Sequence, residues 1–166
     1  MENDIREIQV ACFRLGEDIY AVDIMRIKEI IRPQKLAVIP KAPVFVEGVL
    51  NLRGAVIPVV DLRKRFDMPV REIDRNRRLL IVALAGRTLG IVVDEVTEVI
   101  TVPVANVKPP PQVTHGVGAE YLLGVCLVED DLVMLLDPDR LLTWREADEL
   151  GRIGEVKEVS GGVELT

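Results

Sequence analysis

Gly48–Phe66, GVLNLRGAVIPVVDLRKRF, is the stretch that sets the architecture. It reads as a strand, a tight turn at Asn51-Leu52-Arg53-Gly54, a second strand, and a helical turn capped by Asp61. A weaker copy runs from Gly124 to Leu142, GVCLVEDDLVMLLDPDRLL. Both copies open Gly-Val, and both place an aspartate 13 residues after the glycine, at Asp61 and Asp137. The turns differ. Leu127-Val128-Glu129-Asp130 has no counterpart of the arginine.

Upstream lies a second pair of landmarks. Gly16 leads through Tyr20-Ala21-Val22 to Asp23, and Gly86 leads through Ile91-Val92-Val93 to Asp94. The offset is 71 residues between the aspartates and 76 between Gly48 and Gly124, a difference one loop insertion accounts for. Lys108-Pro109-Pro110-Pro111 supplies that insertion as an extended connector. The repeat predicts two similar lobes, with the boundary between them in the polar stretch 67–78.

The chain has 166 residues, 49% of them hydrophobic and only 4% aromatic. An aliphatic, β-branched core is expected, which favours strands. Short strands broken by Gly, Pro and Asp point to small barrels or sandwiches rather than to a helical fold. Ile8–Leu15 with Ile19–Val22, and Leu79–Leu84 with Leu89–Val93, read as hairpins. Asp23 is expected to cap a short helix, because Ile24, Ile27, Ile30 and Ile31 recur at helical spacing before Pro33. A second helical stretch follows Asp137-Pro138, with Leu141, Leu142 and Trp144 as its packing side.

A net charge of −6 argues against nucleic acid as a partner. Arg63-Lys64-Arg65 and Arg75–Arg78 read as solvated loop charges among acidic neighbours. Cys12 and Cys126 sit in apolar strand-like runs and read as buried free thiols in a reducing compartment. No run of 18 apolar residues occurs, so direct membrane insertion is not expected, and the assigned location is the cytoplasm.

Sites for chemistry are thin. No Walker loop is present, and Leu84–Gly90 lies inside a hairpin pattern rather than a dinucleotide fingerprint. His115 stands without a second histidine or a neighbouring cysteine, a poor metal site. Asp94-Glu95, Glu129-Asp130-Asp131 and Asp137-Asp139 offer carboxylates, but strand ends, turns and caps explain them. No catalytic, cofactor or metal residues are assigned. The competing reading, a small enzyme or ligand-binding β protein, requires a polar pocket between the lobes holding Asp94 or Asp137.

Gly48-Val49-Leu50-Asn51-Leu52-Arg53-Gly54, followed by Ile57-Pro58-Val59-Val60-Asp61-Leu62-Arg63, closely resembles the signature of the CheW family of bacterial chemotaxis coupling proteins. Phe13–Ile31, Leu89–Asp94 with Val96 and Val99, Tyr121–Gly124 and Leu135–Asp137 extend the resemblance over residues 8–145. Residues 1–7 are left as a frayed N-terminus, and 146–166 as a polar helix end and tail.

The resemblance implies two interleaved, SH3-like, five-stranded β-barrel lobes around a shared aliphatic core, with a few short helices. It implies a non-enzymatic adaptor that couples the cytoplasmic tips of methyl-accepting chemoreceptors to the regulatory domain of the histidine kinase CheA. A CheW-like scaffold of a motility or biofilm pathway is the alternative within the same class. Glu29, Gly48, Arg53 and Val99 match positions linked to partner binding, and Ile24, Ile27 and Ile30 match the first helix beside the receptor-binding groove. For Arg53, the long apolar flanks favour an internal brace that also shapes the binding surface.

Overall fold

A computed structural model describes residues 6–69, 74–84, 86–110 and 119–151. Two five-stranded sheets make up two lobes. In chain order the strands are β1 (Glu7–Leu15), β2 (Asp18–Asp23), β3 (Ile27–Ile31), β4 (Val46–Leu52), β5 (Ala55–Asp61), β6 (Arg78–Leu84), β7 (Arg87–Val93), β8 (Glu95–Pro103), β9 (Leu122–Val128) and β10 (Asp131–Leu136). A short helix, α1 (Leu62–Arg65), follows β5, and a second, α2, spans 144–151.

Sheet order shows how the repeat is used. The first lobe runs β8-β1-β2-β10-β9, and the second runs β3-β6-β7-β5-β4. Each central junction is parallel, β2 with β10 and β7 with β5, and the other pairings are antiparallel. The repeating units are β1–β5 and β6–β10, yet each lobe takes its first hairpin from one unit and its last three strands from the other. The two halves have exchanged hairpins.

This corrects the expected boundary. The stretch 67–78 separates the two repeats, but the strands on either side of it, β5 and β6, share one sheet. The chain passes between lobes at Asp23–Ile27 and again at Asp94, the two aspartates that marked the repeat.

Exchange creates three cores. Val10, Cys12, Ala21, Val102, Cys126, Val133 and Leu135 fill the first lobe. Leu50, Ile57, Val59, Leu79, Ile81 and Val92 fill the second. The largest core lies between the lobes and draws on strands of both, including Leu15, Val22, Leu80, Ile91 and Leu136. It is not purely aliphatic, as composition had suggested. All three phenylalanines, Phe13, Phe45 and Phe66, lie in it with Tyr20. Tyr20 stacks on Phe13 and on Phe66, each at 5.9 Å between ring centres. The few aromatic residues are spent where two sheets must be held together, each burying more area than an aliphatic side chain.

The expected helix after Asp23 is a strand. Asp23 does cap a turn, its side chain accepting from Met25 N, but the turn is a single 3-10 turn over Ile24–Arg26. From Ile27 the chain pairs with β6, Ile30 opposite Leu80 and Ile31 opposite Leu79. Isoleucines at short helical spacing also suit a strand, and pairing along β6 decides between them. Trp144 is a further correction. Leu141 and Leu142 pack into the shared core, while Trp144 starts α2 and stands exposed.

Candidate interaction surface

Hairpin β4–β5 presents the first group of expected residues. Its turn is closed by Arg53 (φ 51°) and Gly54 (φ 89°), two residues in the left-handed region, as a two-residue type I′ hairpin requires. Asn51 does not itself adopt unusual angles; its Oδ1 accepts from Gly54 N at 3.1 Å and stabilises the turn. Glu129 (φ 48°) and Asp130 (φ 71°) close β9–β10 with the same geometry, so the two turns differ in chemistry and not in shape.

Arg53 projects into solvent, its side chain 70% exposed. This overturns the expectation of an internal brace. A turn tip carries its side chain past the end of the sheet, so apolar flanks do not bury it. Its guanidinium meets the carboxylate of Glu29 on β3, with Nη1 donating to Oε1 at 3.4 Å and Nη2 donating to Oε2. Because β3 and β4 are the two edges of one sheet, the pair joins the tip of one edge hairpin to the opposite edge. The bond to Glu29 raises the Arg53 pKa further.

The isoleucines surround this pair along the chain. Ile30 follows Glu29 and is exposed, Ile27 packs partly against the shared core, and Ile24 sits half-buried in the 3-10 turn. Gly48 lies on β4 but is buried. Its φ is 151°, and a Cβ there would fall 2.4 Å from the Ala37 carbonyl oxygen. Ala37 pairs with Val49 by two backbone bonds of 2.9 Å, covering the edge of β4. Gly124 repeats the device, with a Cβ position 2.6 Å from Lys108 O and two bonds of 2.8 Å between Lys108 and Val125. Val99 is half-exposed on β8, an edge of the other sheet. Thus the fold brings Glu29 and Arg53 into contact, strings Ile27 and Ile30 beside them, and sets Val99 on the other lobe.

Ion pairs between residues remote in sequence tie α1 to β4, to the β7–β8 crossing and to α2. Arg63, Lys64 and Arg65 are not solvated loop charges. Arg63 reaches Asp94, Lys64 reaches Glu47 at 3.0 Å, and Arg65 reaches Glu146 at 2.9 Å. Arg65 also donates to Leu141 O at 2.7 Å and lies 4.4 Å from the centre of the Phe45 ring. Each crossing between lobes carries its own clamp. Asp94 accepts from Arg63, and Arg26 donates to Asp139 (2.5 and 3.2 Å) and to Ala83 O (2.9 Å). Arg63 and Asp139 stand at equivalent places in the two repeats, two residues after the caps Asp61 and Asp137, and each holds one crossing.

Glu47 and Asp61 line one cavity together, with their carboxyl groups hydrogen-bonded to each other. Burial pushes Asp61 above its ordinary value, reinforced by that bond and opposed by Arg63 N and Arg77. Burial also acts to raise Glu47, but the bonds to Lys64 and Asp61 outweigh it and hold Glu47 below its ordinary value.

Three of the candidate carboxylates, Asp94, Asp137 and Asp139, have structural partners. Asp94 lines a cleft of about 280 Å³ with Arg14, Gly16, Arg63 and Arg77. Its carboxylate accepts from Gly16 N at 2.8 Å and from two nitrogens of Arg63. Asp137 lies elsewhere, capping a 3-10 turn through Asp139 N and pairing with Arg140 at 3.2 Å. A polar cleft holding Asp94, which the ligand-binding reading required, is therefore present, but the Asp94 carboxylate is engaged by Arg63 and Gly16 N and Asp137 does not line that cleft. His115 falls outside the described residues.

Residues 9–146 match the sequence model of the CheW-like domain. The chemotaxis protein CheW of Treponema pallidum is 36% identical over 151 residues, covering 89% of each chain. Protein FrzA of Myxococcus xanthus is 32% identical, over 82% of this chain and 86% of its own. The crystal structure of the scaffolding protein TtCheW from Thermoanaerobacter tengcongensis superposes with a TM-score of 0.79 at 32% identity, covering 85% of this chain and 91% of that one.

Proposed function

The chain belongs to the CheW family, and from that membership we propose that it is a non-enzymatic adaptor coupling chemoreceptor tips to the histidine kinase CheA. One observation carries the reading beyond family membership. An arginine and a glutamate from opposite edges of one sheet meet in solvent, beside exposed Ile30. Exposed ion pairs add little to folding, so a surface built this way is better explained by what it presents to a partner.

In this reading Glu29, Ile30 and Arg53 on one lobe, and Val99 on the other, touch partners directly. Ile24 and Ile27 support that surface from behind. Gly48 acts through the backbone, by letting the segment around Ala37 seat against β4. Adaptors work by offering separate surfaces to separate partners, and two lobes with different edges meet that need. Among the described residues no helix is long and apolar enough to cross a membrane. In this reading the receptor supplies the membrane attachment, and the adaptor acts at its cytoplasmic end.

The test is binding by the purified chain to a CheA regulatory domain and to a chemoreceptor signalling fragment, separately and together. Both are expected to bind at concentrations up to tens of micromolar, with each still bound when the other is saturating. Failure to bind either at that concentration overturns the proposal. The receptor fragments it retains decide whether the pathway is chemotaxis or another chemosensory system.

A further inference from the structure

The exchanged repeat lets each lobe be compared with the other position by position. With the offset of 76, Arg53 corresponds to Glu129, Asn51 to Leu127 and Val56 to Leu132. Along the opposite edge, Glu29 pairs with Ile81 in one sheet and Glu98 pairs with Cys12 in the other, so Glu98 is the counterpart of Glu29. Where the second lobe carries an arginine and a glutamate in contact, the first therefore carries two glutamates. Glu98, Glu129, Asp130 and Asp131 are all exposed, and none has an ion-pair partner among the described residues.

Beside these acids lie two leucines. Leu127 and Leu132 face each other across β9 and β10, 70% and 43% exposed. They continue the sheet face that buries Val125 and Met134 in the shared core. The second lobe shows what fits there. Val56, the counterpart of Leu132, lines one cavity with Leu84 and Leu89 and with Ala147 and Leu150 of α2. In that lobe an amphipathic helix packs on the shared core beside Val56, through Ala147 and Leu150, while Leu127 and Leu132 of the other lobe remain exposed with no helix of this chain beside them among the described residues.

We propose that the β9–β10 hairpin is a docking surface for an amphipathic helix of a partner, seated on Leu127 and Leu132, with basic residues flanking its apolar stripe to meet Glu98, Glu129, Asp130 and Asp131. The helical form follows from the internal precedent of α2, and the positive charge follows from the unpaired carboxylates. A second copy joined symmetrically through this hairpin would set acid against acid. The surface is separate from the Glu29–Arg53 pair, so one chain can engage a basic helix there while that pair is occupied.

A peptide of about 14 residues, leucine and lysine in amphipathic helical order, is the probe, and a version with glutamate in place of lysine is its control. With the full-length protein, amide shift mapping is expected to place the lysine peptide on residues 127–132, with a Kd on the order of 100 µM or tighter. Leu127→Glu and Asp130→Lys, checked for unchanged melting, are each expected to weaken binding about tenfold or more, and the glutamate peptide to leave the spectrum unmoved. Binding that survives Leu127→Glu, or shifts centred outside the hairpin, overturn the proposal. So do shifts at 127–132 that depend on protein concentration without peptide, since they make a second copy the occupant.

Discussion

Arg63 and Asp94 form a two-bonded ion pair, Nε donating to Oδ1 at 2.8 Å and Nη2 donating to Oδ2 at 2.5 Å, where the chain passes from one lobe to the other. Gly16 N completes the site at 2.8 Å. Three stretches remote in sequence thus meet at one carboxylate: the β1–β2 turn, α1 and the β7–β8 crossing.

Removing Arg63 strips a nearly buried carboxylate of its opposite charge and of two hydrogen bonds, leaving the bond from Gly16 N in place. Arg63→Ala is therefore expected to lower stability by about 3–5 kcal/mol. Arg63→Lys retains the charge but loses the second bond, and is expected to recover only part. Urea unfolding of the three proteins measures both steps. A loss no larger than that at an exposed ion pair would show that the crossing is held by the shared core alone.

Gly48 and Gly54 separate two reasons for glycine. A Cβ at Gly48 collides with the Ala37 carbonyl, while nothing lies within 4 Å of the Gly54 position. Gly54→Ala is expected to cost about 1 kcal/mol, the price of a left-handed residue alone. Gly48→Ala must also displace the segment that covers β4, and is expected to cost roughly 1–3 kcal/mol more. Gly124→Ala, facing Lys108 O, is expected to follow Gly48→Ala. Denaturant midpoints of the three variants test the order.

The hairpins were legible because period-2 alternation and turn residues are local signals, and the two-lobe repeat was legible because Gly48 and Gly124 keep one distance to their capping aspartates. The strand β3 was not, since Ile24, Ile27 and Ile30 fit a helix and a strand equally until β6 is placed beside them. Arg65 looked like one charge in a basic run, because its partner Glu146 lies 81 positions away. The exposure of Arg53 was hidden for another reason. Apolar neighbours on both sides say that the strands are buried, and nothing about the tip between them. Pairing Glu29 with Arg53 needed the curvature of the sheet, which sequence spacing does not carry.

The pH dependence of stability is expected to carry a distinct contribution from Asp61. Its folded pKa lies above the ordinary 3.8, so the ionised form costs stability at neutral pH, and that cost fades as pH falls through the raised folded value. Glu47 has the opposite sign: held low, it contributes above the ordinary 4.5 and loses that contribution as pH falls through its folded value. In Asp61→Asn the amide still accepts from Arg63 N and can donate to Glu47. Relative to this variant, wild type is expected to gain stability as pH is lowered from neutral through the raised range of Asp61. Stability curves for both proteins across that range give the difference directly, and a constant difference would mean that Asp61 titrates normally.

Cys12 and Cys126 are buried in the core of the first lobe. Burial first, then the charge of Glu98, pushes the Cys12 thiol up to about 11, and burial raises Cys126 as well. Reaction requires thiolate and access. At pH 8 both thiols are expected to react with a disulfide reagent only as fast as the first lobe opens, and immediately in denaturant. Rapid labelling of either one in the native protein would show that the lobe opens without global unfolding.

Glu29 and Arg53 supply the sharpest test of the adaptor reading. The Arg53 side chain is solvated, so Arg53→Ala is expected to leave the melting temperature close to that of wild type while weakening partner binding by about tenfold or more. If the pair acts as a unit, Glu29→Ala weakens the same interaction, and the double variant loses little beyond either single change. Independent contacts would instead give losses that multiply. Exchanging the two charges, Glu29→Arg with Arg53→Glu, separates the remaining possibilities: it keeps the ion pair but reverses what each position offers. Recovered binding would mean that the pair only positions the hairpin tip, and continued loss would mean that the partner reads the arginine at the turn itself.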